Sequence, residues 1–103
     1  MSGGPPYNVA VIGGGASGIM AGIAARRKGA KVTILERNRR IGKKLLATGN
    51  GRCNMTNINT TIANYHGQNP RFVYSALAKF GVEETLDFFA DLGVQPRVLE
   101  EGK

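Results

Sequence analysis

Three glycines and one carboxylate are the residues of this chain whose types and spacing most directly suggest chemistry. Gly13, Gly15 and Gly18 have the spacing G-x-G-x-x-G, and Glu36 follows 18 positions after the last of them. The residues between the glycines are also small: Gly14, Ala16 and Ser17. A bare turn at a helix start offers N–H groups and partial positive charge to phosphates. A carboxylate after the next strand can accept the hydroxyl hydrogens of a ribose. The pattern predicts a dinucleotide site.

Each glycine of this motif has its own physical reason. Gly13 permits the tight turn from strand to helix, and Gly15 lets the backbone approach a pyrophosphate without an intervening Cβ. Gly18 lets the helix pack closely on the strand. Because a 2′-phosphate would meet the like charge of Glu36, the adenosine half of the ligand is expected to be unphosphorylated.

The elements around the motif are predicted from its flanks. Residues 9–12 are a continuous apolar run, which favours a parallel strand buried on both faces. Helical spacing begins at Gly18, cations lie at the far end of that helix, and Gly29 ends it as a left-handed cap would. Residues 32–35 form a second buried strand, with Glu36 at its carboxyl end. This is a βαβ unit, the minimal piece of a doubly wound α/β fold.

Beyond the βαβ unit, the chain predicts a polar loop and two short helices. Residues 58–69 are polar and turn-prone. Asn69 and Pro70 predict a helix start with an amide cap, and Gly81 ends that helix. A second helix starts at Val82 or Glu83 and stops at Gly93, and residues 94–100 are at best an edge strand. Apolar stripes at helical spacing predict core packing: Phe72, Val73, Ala76, Leu77 and Phe80, then Leu86, Phe89, Ala90 and Leu92.

The stretch from the glycine motif to Asn57 resembles the start of a bacterial flavoprotein family, the aminoacetone-oxidase-like, BaiN-type family. The resemblance rests on residues 13–18, on Gly22, Gly29, Val32 and Glu36, and on residues 43–57. The segment TGNGRCNMTN at 48–57 is the narrower signature, because the glycine motif is common to the wider superfamily of flavoproteins with two dinucleotide-binding domains. The resemblance covers residues 7–103 but only the beginning of such an enzyme.

This resemblance implies FAD as the cofactor, held by a Rossmann-like domain. The glycine-rich loop would face the pyrophosphate, namely Gly13, Gly14, Gly15, Ala16, Ser17 and Gly18. Glu36 would bind the adenosine ribose, and Arg37 and Lys44 would lie along the adenosine-diphosphate half. Further residues would run beside the cofactor toward the flavin: Thr48, Gly49, Arg52, Cys53 and Asn54. No catalytic residue is assigned within the chain.

The charge of the chain is basic and uneven, with a net charge of +7. Ten of the fourteen cations lie between Arg26 and Arg52, and six of the seven acids lie from Glu83 onward. Three interpretations stay open: a solvated helix end and loop, complementarity to a bound pyrophosphate, and nucleic-acid binding. The last is disfavoured, because the basic cluster lacks interleaved aromatics and no known nucleic-acid-binding pattern is present.

The remaining features limit the classes of protein. Cys53 is the single cysteine, so an internal disulfide or dithiol relay is excluded and a reducing cytoplasm is expected. His66 has no acidic or thiol neighbours in the sequence, so no metal site is expected. No apolar stretch is long enough for a membrane span. Residues 1–6 are expected to be a disordered leader.

Three functions therefore compete. The first is the FAD-binding segment of an oxidoreductase that acts on an unknown small molecule, with NAD(P)H as a candidate second partner. The second is an NAD-dependent dehydrogenase segment, against which the loop at 48–54 counts, and the third is a non-catalytic basic module. Because a doubly wound domain usually has five or six parallel strands, residues 7–103 are expected to be a truncated domain that needs the rest of its chain.

Overall fold

A computed structural model describes residues 7–47 and 53–103. The chain divides into two compact units, Met1–Cys53 and Asn54–Lys103. The predicted leader at residues 1–6 and the predicted cofactor-loop residues Thr48, Gly49 and Arg52 lie outside the described residues.

The first unit is a βαβ unit followed by a short helix. Strand β1 (Asn8–Ile12) and strand β2 (Lys31–Leu35) are parallel neighbours, with Val9 opposite Val32. Helix α1 (Ala16–Arg27) connects them, and helix α2 (Lys43–Ala47) follows the loop after β2. The predicted strand–helix–strand order is thus confirmed.

Helix α1 starts and ends where local backbone chemistry allows. It begins two residues before Gly18, because Gly15 is its extended N-cap, with φ −83° and ψ −171°. Gly29 has φ +93°, and its N–H donates to Arg26 O at 2.9 Å while the Ala30 N–H donates to Ala25 O at 3.1 Å. These two bonds form a Schellman motif, which satisfies carbonyls at the helix end. The predicted left-handed cap is confirmed.

The two strands are not buried on both faces, which corrects the prediction from their apolar runs. Side chains alternate between half-buried and exposed along each strand. Helix α1 covers one face, where a Cβ on Gly22 would lie 3.4 Å from Val32 Cγ1. On the other face Ile12 is 79% exposed and Leu35 is 51% exposed. Within the first unit, α1 forms the helical layer on this sheet, and the strands are therefore covered from that side.

The second unit contains short helices around a small apolar core. Its elements are 3-10 helices at Ile62–Asn64, Pro70–Val73 and Glu100–Gly102, helix α3 (Tyr74–Lys79) and helix α4 (Val82–Asp91). Val73 and Phe88 are its buried apolar residues among those described. Phe88 meets Phe80 edge-on, with ring centroids 6.2 Å apart. The predicted stripe of the second helix omitted Phe88 and included Leu92, which is 56% exposed, so that core assignment was partly wrong.

The predicted helix start in this unit was wrong in detail, whereas the prediction of at most an edge strand at residues 94–100 is not contradicted. The helix after Pro70 opens as a 3-10 turn, and the Asn69 side chain makes no capping hydrogen bond. The Asn69 carbonyl instead accepts the Phe72 N–H at 3.3 Å. Residues 94–99 form no strand, in keeping with Pro96, which lacks an N–H for a ladder.

Across residues 7–47 and 53–103, every helix is too short or too polar to traverse a bilayer.

Candidate functional site

The turn between β1 and α1 depends on the conformation of Gly13. Its φ is +103°, in the region that side-chain-bearing residues rarely adopt. Its N–H donates to Leu35 O at 2.8 Å, which extends the parallel pairing one residue past β1. The first glycine of the motif therefore has the turn-forming role expected of it.

Gly18 allows close packing between the helix and the turn. A Cβ at this position would collide with Gly13 O and would lie 3.3 Å from Val11 Cγ1. The third glycine therefore brings the first turn of α1 directly against the end of β1, as its place in the motif predicts.

Gly15 differs from Gly13 and Gly18, because its φ is −83° and a Cβ at this position would meet nothing within 4 Å. Its backbone is extended, and its carbonyl accepts the Ile19 N–H at 2.9 Å, which opens the helix. In the described part of the chain, no acceptor takes the N–H groups of Gly15, Ala16 or Ser17. The first turn of α1 holds no acidic residue. These N–H groups and the helix dipole form a positive surface suited to an anion.

Glu36 lies beside this turn and is bound to it. Its Oε1 accepts the Gly14 N–H at 2.9 Å, and its Oε2 accepts the Asn38 N–H at 2.7 Å. These two bonds, with that to Asn38 the larger, and the nearby charge of Arg37 lower the pKa of Glu36 although burial acts in the opposite direction. The carboxylate is therefore ionised at neutral pH, and each oxygen keeps a lone pair for a further donor.

The loop after Glu36 returns to the glycine-rich turn at Gly14. The Gly42 N–H donates to Gly14 O at 2.7 Å, and Gly42 has φ +69°. The Ile41 side chain lies against Gly14, since a Cβ built there would be 2.6 Å from Ile41 Cγ2. Nothing in the sequence signalled the role of Ile41. The glycine at position 42 was the one available signal for the return of this loop, because its left-handed φ is a conformation that other residues rarely adopt.

The other predicted cofactor residues that the structure describes have exposed side chains. Arg37 is adjacent to Glu36, and Lys44 lies on α2. Cys53 is a free, exposed thiol, and Asn54 is exposed. Their predicted contacts with FAD stay predictions. Within the described ranges, no three His, Cys, Asp or Glu side chains come together as a metal site would require.

Comparison with known protein families identifies the family of the chain that contains this turn. Residues 7–103 match the HI0933-like protein Rossmann domain. The chain belongs to the HI0933-like family. The Rossmann fold class is thereby confirmed, and so is the resemblance to the BaiN-type flavoproteins.

Relatives of this HI0933-like chain include proteins with different activities. It is 56% identical over 88 residues to a 3-dehydro-bile acid delta(4,6)-reductase of Clostridium scindens, covering 84% of this chain and 22% of the reductase. It is 37% identical over 93 residues to a ribosomal RNA dihydrouridine synthase of Haemophilus influenzae, covering 90% of this chain and 23% of that protein. An Escherichia coli ribosomal RNA dihydrouridine synthase is 34% identical over 88 residues, covering 85% of this chain and 22% of the synthase.

The chain thus spans less than a quarter of the length of these relatives. The family match and the reductase relative support the coarse part of the predicted function, a dinucleotide-binding segment of flavin type from an oxidoreductase.

Proposed function

We propose that the chain is the FAD-binding segment of a flavin-dependent oxidoreductase. The observation that carries this proposal is the N-terminus of α1, where three consecutive N–H groups lack an acceptor in the described chain and Gly15 leaves open space before them. A pyrophosphate carries two negative charges on adjacent groups, and such a terminus binds them through N–H donors and the helix dipole.

Each residue of the turn has a part in this proposal. Gly15, Ala16 and Ser17 donate N–H groups to the pyrophosphate. Glu36, ionised and held by two backbone donors, accepts the ribose hydroxyls with its remaining lone pairs. Arg37 and Lys44 add positive charge along the adenosine-diphosphate half. When bound, the flavin supplies hydride transfer, and these residues supply its position.

The relatives suggest the reaction class of the whole protein. One is named for the reduction of a bile acid at its 4 and 6 positions, and two are named for making dihydrouridine. Both names denote the saturation of a carbon–carbon double bond conjugated with a carbonyl. We therefore propose that the full-length protein reduces such a bond in a small molecule, and that FAD, when bound, would supply the hydride while a proton is added at the neighbouring carbon. NAD(P)H is the proposed source of the hydride that reduces FAD.

The test uses the full-length protein purified without added cofactor. Absorbance near ~450 nm and release of FAD on denaturation are the expected results, because the spectrum belongs to the cofactor. If the protein does not bind FAD but is stabilised by NAD, this result would contradict the proposal and favour the dehydrogenase alternative.

The substrate class has a separate assay. Oxidation of NADH or NADPH is followed with a 3-oxo-4,6-diene bile acid, with its saturated counterpart as control and with uridine-containing ribosomal RNA as a competing substrate. Turnover of the conjugated steroid alone is expected, since the steroid-reducing relative shares the higher identity. Turnover of the RNA alone would refute the small-molecule proposal and leave the FAD assignment intact.

A further inference from the structure

The loop between β2 and α2 contacts the glycine-rich turn through Ile41 and Gly42. We propose that Ile41 and Gly42 are positioning residues that hold the Gly14–Gly15 peptide unit so that the Gly15 N–H faces the pyrophosphate. This inference rests on the proposed function, because it assumes that the pyrophosphate binds at the N-terminus of α1.

Gly14 is held on three sides. Its N–H donates to Glu36 Oε1 at 2.9 Å, and its carbonyl accepts the Gly42 N–H at 2.7 Å. On the Cα, a Cβ would lie 2.6 Å from Ile41 Cγ2 and 3.1 Å from Ile41 Cβ. Gly14 and Gly42 are both buried in a part of the chain where few residues are.

The orientation of the Gly15 N–H follows from the Gly14 carbonyl. The peptide unit is planar and trans, so the C=O of one residue and the N–H of the next point in opposite directions. Because the Gly42 N–H binds Gly14 O, it fixes the rotation of that whole unit. The Gly15 N–H is then directed away from the 37–42 loop, and no acceptor in the described residues takes it.

Ile41 maintains the contact on which that hydrogen bond depends. The loop is anchored at its start by Glu36, which also accepts the Asn38 N–H at 2.7 Å. At its end, the Gly42 N–H binds Gly14 O, and the φ of +69° at Gly42 directs the chain from this loop into α2. Ile41 packs on Gly14 between these anchors although its side chain is 51% exposed. Its apolar contact keeps water from competing for the Gly42–Gly14 bond.

The test compares Ile41→Ala, Ile41→Val and Gly42→Ala in the full-length protein. Ile58→Ala is the matched control, because Ile58 is the same residue type, is 49% exposed and belongs to the other unit. Ile41→Ala and Gly42→Ala are each expected to weaken FAD binding about tenfold, whereas Ile41→Val and the control stay within about threefold of wild type.

Hydrogen exchange of the apoprotein supplies a readout that does not depend on the cofactor. Ile41→Ala is expected to raise deuterium uptake in peptides that span residues 9–19 and 38–46. Ile58→Ala is expected to leave both peptides unchanged, and comparable thermal midpoints of the two variants would exclude general destabilisation. If Ile41→Ala is insoluble, Ile41→Thr replaces it, since threonine keeps the β-branch and removes apolar contact.

The outcomes separate the two proposals. If the wild-type protein binds no FAD, the proposed function fails, and the proposed role of Ile41 and Gly42 toward the pyrophosphate fails with it. If FAD binds but Ile41→Ala and Gly42→Ala match wild type in both affinity and exchange, the positioning role is wrong and the FAD assignment survives. Weaker binding together with faster exchange in both variants supports the inference.

Discussion

Gly15→Val separates binding from folding more cleanly than any other change in the turn. A Cβ at residue 15 meets nothing within 4 Å, and the backbone there, with φ −83°, is open to any residue. The substitution gains about 0.4–1 kcal/mol by restricting the unfolded chain. It loses a similar amount, about 0.5–1.5 kcal/mol, because valine is a poor N-cap. The net change in the free energy of unfolding is expected to be below about 1 kcal/mol.

The loss of FAD-binding free energy in Gly15→Val is expected to be far larger than this change in stability. Under the proposed function, the isopropyl group would occupy the space through which the pyrophosphate approaches the N–H groups. Overpacking costs about 1–3 kcal/mol, and the loss of one hydrogen bond to a charged phosphate costs about 1.5–3 kcal/mol. The lower end of the sum corresponds to an affinity about 60-fold weaker.

The assay is FAD titration of the full-length apoprotein, with its thermal midpoint measured alongside. Ala21→Val is the control, because it places the same side chain at an exposed position of the same helix, away from its N-terminus. An apoprotein midpoint within about 2 °C of wild type is expected for both variants. If Gly15→Val binds FAD as wild type does, the pyrophosphate does not lie at this turn and the assignment of the site is wrong.

Three further changes test the framework around Gly15. Gly18→Ala is expected to destabilise the apoprotein by about 1–3 kcal/mol in thermal unfolding, because its Cβ collides with Gly13 O; an unchanged midpoint would contradict this. The pKa of Glu36 is lower in the folded chain than its ordinary value of 4.5. Its ionised carboxylate therefore stabilises the folded state fully above pH 4.5, and this stabilisation is lost as the pH falls through the folded pKa. Amide hydrogen exchange in loop 37–42, corrected for intrinsic rates, should therefore rise on acidification in the wild type and stay constant in Glu36→Gln. Parallel pH profiles of the two proteins would refute the idea that the charge of Glu36 holds this loop. Gly29→Ala places a side chain at φ +93° and is expected to cost about 1–2 kcal/mol in thermal unfolding; a neutral result would mean that the helix end relaxes.

Local patterns predicted the first unit well because its elements are defined by short-range chemistry. The strand–turn–helix order, the cap at Gly29 and the position of Glu36 after β2 depend on residues close together in the sequence. The burial of the strands was overestimated because an apolar run reports which faces can be covered. It does not report whether a second layer is present, and Ile12 remains 79% exposed.

The second unit was harder to predict for a related reason. Its α4 boundaries were found, since Gly81 and Gly93 flank the helix and two glutamates lie in its first turn. The central core residue, Phe88, was missed because four neighbouring apolar positions offered a competing stripe. Which of two adjacent phenylalanines turns inward depends on a tertiary contact, here the edge-on pairing with Phe80.

The four glycines of the turn show what spacing alone leaves undetermined. Gly13 is required by its backbone conformation, Gly18 by packing against the turn, and Gly14 by the Ile41 side chain that lies on it. Gly15 has no comparable requirement among the described residues, apart from a modest preference for glycine at an N-cap. All four residues are glycines in the sequence, and only the geometry distinguishes Gly13, Gly14 and Gly18, which the fold requires, from Gly15, which it does not. Gly15 lies where N–H groups of α1 have no acceptor among the described residues, and the proposed function supplies a reason for a bare backbone at that point, namely the approach of the pyrophosphate.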